Sequence, residues 1–142
     1  MHKTEMSQRC VCATLRKASR AVSQMFDAAL RPSGLRATQF HILAEVGGAG
    51  ETTITQLTKR MVMDQTTLTR SIAILERNGL VKAVAKADAR MKPLQLTAKG
   101  QKALGRAQPL WAEAQARMVK MIGSDSWKVL GAELERMANA EG

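Results

Sequence analysis

The chain has 142 residues, the length of one ordinary domain, and its 45% hydrophobic and 24% charged residues exclude a disordered or low-complexity polymer. Twenty-two Lys plus Arg against twelve Asp plus Glu give a formal charge of +10 and a pI near 10.3, which points to a polyanionic partner. No apolar run approaches the ~18 residues of a membrane span, and the opening MHKTEMSQRCVCATLRK lacks the apolar core of a secretory signal. A cytoplasmic protein without membrane contact is expected. Cys10 and Cys12 then stay reduced, and a C-x-C pair on one helix points its thiols to different faces, so no internal disulfide is expected.

From about residue 6 to Leu30, apolar residues at Val11, Leu15, Ala18, Val22, Met25 and Ala29 step by four and three, the signature of an amphipathic helix. RPSG stops it. A second helix, ATQFHILAEV, runs into GGAG. A third starts at Thr53, where Thr53 and Gln56 make a T-x-x-Q capping box ahead of Ile54, Leu57 and Met61. After the turn RMVM, Asp64 is placed to cap a fourth helix. There Leu68, Ile72 and Leu75 face a core, while Thr66, Arg70, Ala73 and Arg77 lie opposite with Thr67 and Ile74 beside them.

Asn78 and Gly79 end that helix, glycine being the favoured left-handed residue after a C-cap. Two short β-capable runs follow, Leu80 to Lys86 and Pro93 to Thr97, around a polar turn: a hairpin with a basic tip, its Pro93 confined to an edge or a strand start. Beyond Thr97, Leu104, Ala107, Trp111, Ala114, Met118 and Met121 alternate by three and four, a seam for another helix. Gly105 and Pro109 predict a bend near 105–108. GSDS precedes a last helix carrying Trp127, Leu130, Leu134 and Met137 on one side, with Ser124 or Asp125 as its expected cap.

The charge is not spread evenly. Between Thr55 and Arg106 eleven bases stand against three acids, an excess of +8 out of +10, so the binding surface is expected in the middle third. Helix, tight turn, helix and basic hairpin is the order of a winged helix-turn-helix. Short Thr and Gln side chains at a helix N-terminus approach base edges and phosphates closely, and Arg makes bidentate contacts to guanine or phosphate. Solvated arginines and hydroxyls that merely start a helix are the plainer reading of that helix alone; the hairpin and the local charge favour DNA.

The segment TITQLTKRMVMDQTTLTRSIAILERNGLVKAVAKADARMKPLQLTAKGQKAL, with its LTR...LERNGLV helix, D-x-R wing and LTAKG entry to the next helix, resembles the MarR family of bacterial transcriptional regulators. GLRATQFHIL and PLWAEAQARM fit that family's flanking helices, so the likeness covers nearly the whole chain. It implies one MarR-type domain over 1–142, mainly α with a small β-hairpin wing: a winged helix-turn-helix over 36–97 and a helical dimerisation region over 6–30 and 98–140. It further implies a homodimer on palindromic double-stranded operator DNA, with repression as the family's usual outcome.

The expected DNA-binding residues are Thr53, Gln65, Thr66, Thr67, Thr69, Arg70 and Arg77, with Lys86, Asp88, Arg90 and Lys92 from the wing. Period-two alternation puts Asp88 and Arg90 on one face of the wing tip, where the carboxylate can hold the guanidinium toward a narrow minor groove. Relatives use this arginine in that way, and many carry a second one where this chain has Ala89.

Two signals could relieve binding. Cys12, in CVCATLRKASRA, stands where the hydroperoxide-sensing branch of the family carries its reactive cysteine, but that branch holds the thiolate with tyrosines and this chain has none. The other is a small aromatic or phenolic effector in a pocket lined by Phe40, His41 and Trp111. One histidine and two cysteines near one another are too few for a metal site, and no cofactor is expected. There are no paired carboxylates in apolar context, no Ser-His-Asp signature and no Gly-rich phosphate loop, so no enzyme is expected. A thiol peroxidase on Cys12 is the enzymatic alternative, and a nonspecific nucleic-acid-binding protein the other rival.

Overall fold

The computed structural model describes residues 9–85 and 92–140. In chain order it contains α1 (Val11–Leu30), a 3-10 turn (Arg31–Ser33), α2 (Ala37–Ala49), α3 (Ile54–Met61), α4 (Gln65–Arg77), β1 (Val81–Ala83), β2 (Leu94–Leu96), α5 (Ala98–Ile122) and α6 (Ser124–Ala138). The two strands are antiparallel, with Val81 opposite Leu96, Lys82 opposite Gln95 and Ala83 opposite Leu94. They are shorter than the apolar runs suggest. On its other edge Leu94 exchanges backbone hydrogen bonds with Thr52 (2.6 and 3.1 Å), so the hairpin is tied to the entry of α3. Pro93 sits at a strand start, donating nothing and accepting from Val84 (2.8 Å).

One core holds α2, α3, α4 and the hairpin together. Leu30, Ile42, Leu43, Val46, Leu57, Leu68 and Leu75 are fully buried, with Ile72, Val81 and Leu94 nearly so. The caps follow local chemistry: Thr53 Oγ1 accepts from Gln56 N (3.2 Å) while Gln56 Oε1 accepts from Thr53 N (3.0 Å). At the other end of α4 Gly79 has φ of 74°, its N–H donating to Glu76 O and that of Leu80 to Leu75 O, both at 2.9 Å. That pair of bonds is a Schellman closure, which requires the left-handed residue that glycine supplies. The cap of α2 comes from elsewhere in the chain: Asp27, on α1, accepts from Ala37 N at 2.7 Å.

Helix α5 is unbroken through Gly105 and Pro109, both of which are exposed, so the carbonyl that proline leaves unbonded faces water rather than the core. Two local expectations are corrected. Neither Ser124 nor Asp125 caps α6. Gly123 occupies that position with φ of 99°, and a single residue turns α5 into α6. Cys10 lies outside α1 as its N-cap, at φ −72° and ψ 115°, with its Sγ accepting from Ala13 N at 3.4 Å. The argument that two helical thiols must diverge therefore does not apply to this pair.

The flanking helices α1, α5 and α6 differ from the core in what they leave uncovered. Val11, Leu15 and Met25 on α1, Met121 on α5 and Val129, Leu130 and Met137 on α6 are exposed, and α6 buries no residue at all. An apolar cleft of about 560 Å³ runs between α1, α5 and α6, lined by Val22, Phe26, Met118, Trp127, Leu130 and Leu134 among others.

Candidate nucleic-acid interface

Helix α4 is amphipathic, and the split is sharp. Leu68, Ile72 and Leu75 are 0%, 2% and 0% exposed, whereas Gln65, Thr66, Thr67, Thr69, Arg70, Ala73, Ile74 and Arg77 are all exposed. With three aliphatic side chains clamped in the core, the helix is fixed in rotation, and its polar flank is presented outward as a unit. The N-terminus is set by Asp64, whose Oδ1 accepts from Thr67 N (2.8 Å) and whose Oδ2 accepts from Thr67 Oγ1 (2.6 Å). Those bonds, helped by the Thr66 N–H and the Arg70 charge, hold the Asp64 carboxyl below its ordinary range. The Thr67 hydroxyl proton is therefore committed to Asp64, leaving its oxygen to accept from a partner, whereas among the described residues no such bond ties Gln65, Thr66 or Thr69.

Thr53 is half-buried, its hydroxyl oxygen engaged by Gln56 N in the capping box, so it retains a proton to donate. Lys92 is exposed at the base of the wing. Lys86, Asp88 and Arg90 lie outside the described residues. Arg60, on α3, pairs with Glu45 on α2 at 3.6 Å, a surface ion pair.

The C-terminal end of α4 is clasped from the other side. Thr97 Oγ1 donates to Gly79 O (2.5 Å) and accepts from Gly100 N (3.0 Å), Thr97 N donates to Leu80 O (3.1 Å), and Lys99 Nζ donates to Asn78 O (2.8 Å). A Cβ on Gly100 would lie 2.0 Å from Leu80 O. The LTAKG stretch is thus the joint by which the long α5 grips the loop leaving α4. Sequence reading missed this role, although a threonine cap followed at once by a glycine in an early helical turn is the signal that could have disclosed it.

The residues expected to bind an effector meet, but as packed rings. Phe40 is buried, stacked on Trp111 (centroids 6.0 Å, 22°) and tilted against His41 (5.7 Å, 59°). His41 is exposed, yet partial burial lowers its pKa, a shift partly opposed by Glu45. The clefts described have other linings: besides the α1–α5–α6 cleft, one of about 490 Å³ lies between Gly47, Gly48 and Leu96 and the Gln101, Leu104 and Gln108 face of α5. Cys12 is exposed on α1. Among the described residues no group of three or more His, Cys, Asp or Glu is placed to hold a metal ion, and no helix is long and apolar enough to cross a membrane.

The MarR family profile matches residues 35–90. No curated protein matches the chain significantly by sequence. Among solved structures, the M. tuberculosis transcriptional regulator MosR in complex with DNA is 41% identical, with a TM-score of 0.83 over 92% of this chain and 94% of that one. A mutant MarR from E. coli complexed with operator DNA (20% identity, TM-score 0.83, 93% and 96% covered) shares the fold. So does the transcriptional repressor CouR bound to p-coumaroyl-CoA (22%, TM-score 0.87, 99% and 100% covered). The recognition-type helix clamped by its core, the short hairpin and the long flanking helices recur in a relative that shares two residues in five, and the chain belongs to the MarR family of transcriptional regulators, winged helix-turn-helix proteins that bind DNA.

Proposed function

We propose that the protein is a cytoplasmic homodimer that binds a palindromic operator sequence-specifically, represses transcription there, and is released by a small aromatic or phenolic effector. The observation that carries this reading is the outward flank of α4, rich in Thr, Gln and Arg and held rigid by Leu68, Ile72 and Leu75. In the proposed complex Gln65, Thr66, Thr67, Thr69 and Arg70 address base edges in the major groove, while Arg77, Thr53 and Lys92 engage the backbone. Lys86, Asp88 and Arg90 are assigned to the minor groove through the wing. The DNA complex of the 41% identical MosR supports the choice of partner.

Dimerisation is supported by the uncovered apolar side chains of α1, α5 and α6 and by the absence of any buried residue on α6. A second copy would cover them and set two α4 helices about one DNA turn, ~34 Å, apart. The Phe40–Trp111 stack joins the DNA module to α5, so a flat ring inserted between them would spread that junction and with it the spacing of the two reading heads. The p-coumaroyl-CoA complex of CouR shows an aromatic ligand on this fold.

Selection of bound fragments from genomic DNA, followed by affinity measurement on the recovered duplex, tests the proposal. The wild-type protein is expected to prefer its site over a random duplex by ~10³ or more. Arg70→Ala and Arg90→Ala should each weaken binding at least about tenfold while the dimer mass in light scattering is unchanged. Equal affinity for site and random duplex would leave only a basic nucleic-acid-binding protein; a monomeric mass at micromolar concentration would remove the dimer. One observation favours oxidation as the releasing signal instead: Cys12 is exposed. Organic hydroperoxide should then lower operator affinity of the wild type and spare Cys12→Ser.

A further inference from the structure

The polar flank of α4 contains an interruption that the arginines and hydroxyls do not explain. Ile74 is 43% exposed, although the other three large aliphatic residues of the helix are essentially buried. Ala73 is exposed too, but on the other side of the two arginines, so Ile74 stands alone. On a helix surface Ile74 neighbours Arg70 one turn back and Arg77 one turn on, so an apolar patch lies between two cations. It contributes nothing to the core, and an aliphatic side chain between two guanidinium groups gains little from water.

What covers it follows from its neighbours. The two arginines and the Thr–Gln cluster select a nucleic-acid duplex, and in the major groove of B-DNA the one apolar feature a base pair presents is the 5-methyl group of thymine. We propose that Ile74 reads the methyl group of a thymine in each operator half-site, and so is a specificity-determining residue of the recognition helix. The inference rests on the DNA-binding reading above and sharpens it: the operator must hold a thymine at a fixed distance from the base pair addressed by Arg70. Burying one methyl against Ile74 accounts for about a fourfold preference for thymine over uracil per half-site, and about fifteenfold when both half-sites are changed.

The test replaces each thymine of the selected operator in turn by deoxyuridine, which removes only the methyl group. Affinities are measured by fluorescence anisotropy for the wild type, Ile74→Ala and Ile74→Val. One symmetry-related position is expected to show the loss in the wild type. Ile74→Ala should bind the thymine operator more weakly and be indifferent to uracil at that position, with Ile74→Val between the two. Circular dichroism melting confirms that the variants are folded, which the exposure of Ile74 favours. Losses below twofold at every thymine for the wild type, or an equal thymine preference in Ile74→Ala, would overturn the inference while leaving a DNA-binding regulator intact. Failure of the wild-type protein to select any duplex would instead overturn the functional reading, and this inference with it.

Discussion

Replacing Gly100 by alanine probes the joint between α5 and the loop after α4. An added Cβ would stand 2.0 Å from Leu80 O and 2.9 Å from its carbonyl carbon, both backbone atoms that no rotamer change can move. Ordinary C···O contacts are no closer than ~3.3 Å, so the two segments must part by about 1.3 Å. That displacement strains or breaks the bond from Thr97 N to Leu80 O, now 3.1 Å, at a cost of roughly 1 kcal/mol, and adds roughly 1–3 kcal/mol of overpacking. Alanine recovers about 1 kcal/mol through its helix propensity. The net loss is about 1–3 kcal/mol, or a fall of roughly 3–10 °C in melting temperature for a chain of this size. Gly105→Ala is the control: it lies on the same helix, is exposed and would meet no atom within 4 Å, so alanine there should raise stability by up to ~1 kcal/mol. Urea and thermal unfolding of both variants read the difference. Shifts of the same sign, or a Gly100→Ala melting temperature within about a degree of wild type, would refute the close approach.

Thr97→Val removes a hydroxyl that caps α5 and also bonds Gly79 O, and should cost about 1–2 kcal/mol in urea unfolding while preserving side-chain shape. Val62 occupies the turn between α3 and α4 at φ 51°, a left-handed conformation hostile to a β-branched residue, and is 65% exposed; Val62→Gly should therefore stabilise by about 1 kcal/mol, and a loss would mean the turn is unstrained. His41 has a pKa lowered from 6.5 by burial, so the unfolded chain binds the proton more readily. Stability should thus decline as pH falls through about 6.5, and the decline should shrink in His41→Gln when denaturation midpoints are compared at pH 7.5 and 5.5.

Local chemistry made much of the reading head legible from residues alone. The period of Leu68, Ile72 and Leu75 set which side of α4 faces outward, and Thr53, Gln56, Asp64 and Gly79 marked helix ends, because each acts on backbone groups within one turn of itself. Phe40, His41 and Trp111, expected to surround an effector, touch one another, yet whether rings enclose space or fill it depends on how α2 lies on α5, which periodicity does not encode. The continuity of α5 through Pro109 has the same origin: proline weakens a helix locally, but its exposed position decides whether the helix continues.

Contacts between distant segments were decided only in the folded chain. Asp27 capping α2, Thr52 pairing with Leu94 and Gly100 lying on the Leu80 carbonyl join residues with no common sequence period. The amino-acid order alone determined the helices, the caps at Thr53, Asp64 and Gly79, the outward side of α4 and the cationic middle third, since backbone hydrogen bonding and hydrophobic spacing are short-range. Tertiary packing determined that α6 would bury nothing against the rest of the chain and that α5 would grip the loop leaving α4. Those outcomes turn on which surfaces meet, and steric fit between separate segments is a property of the assembled fold.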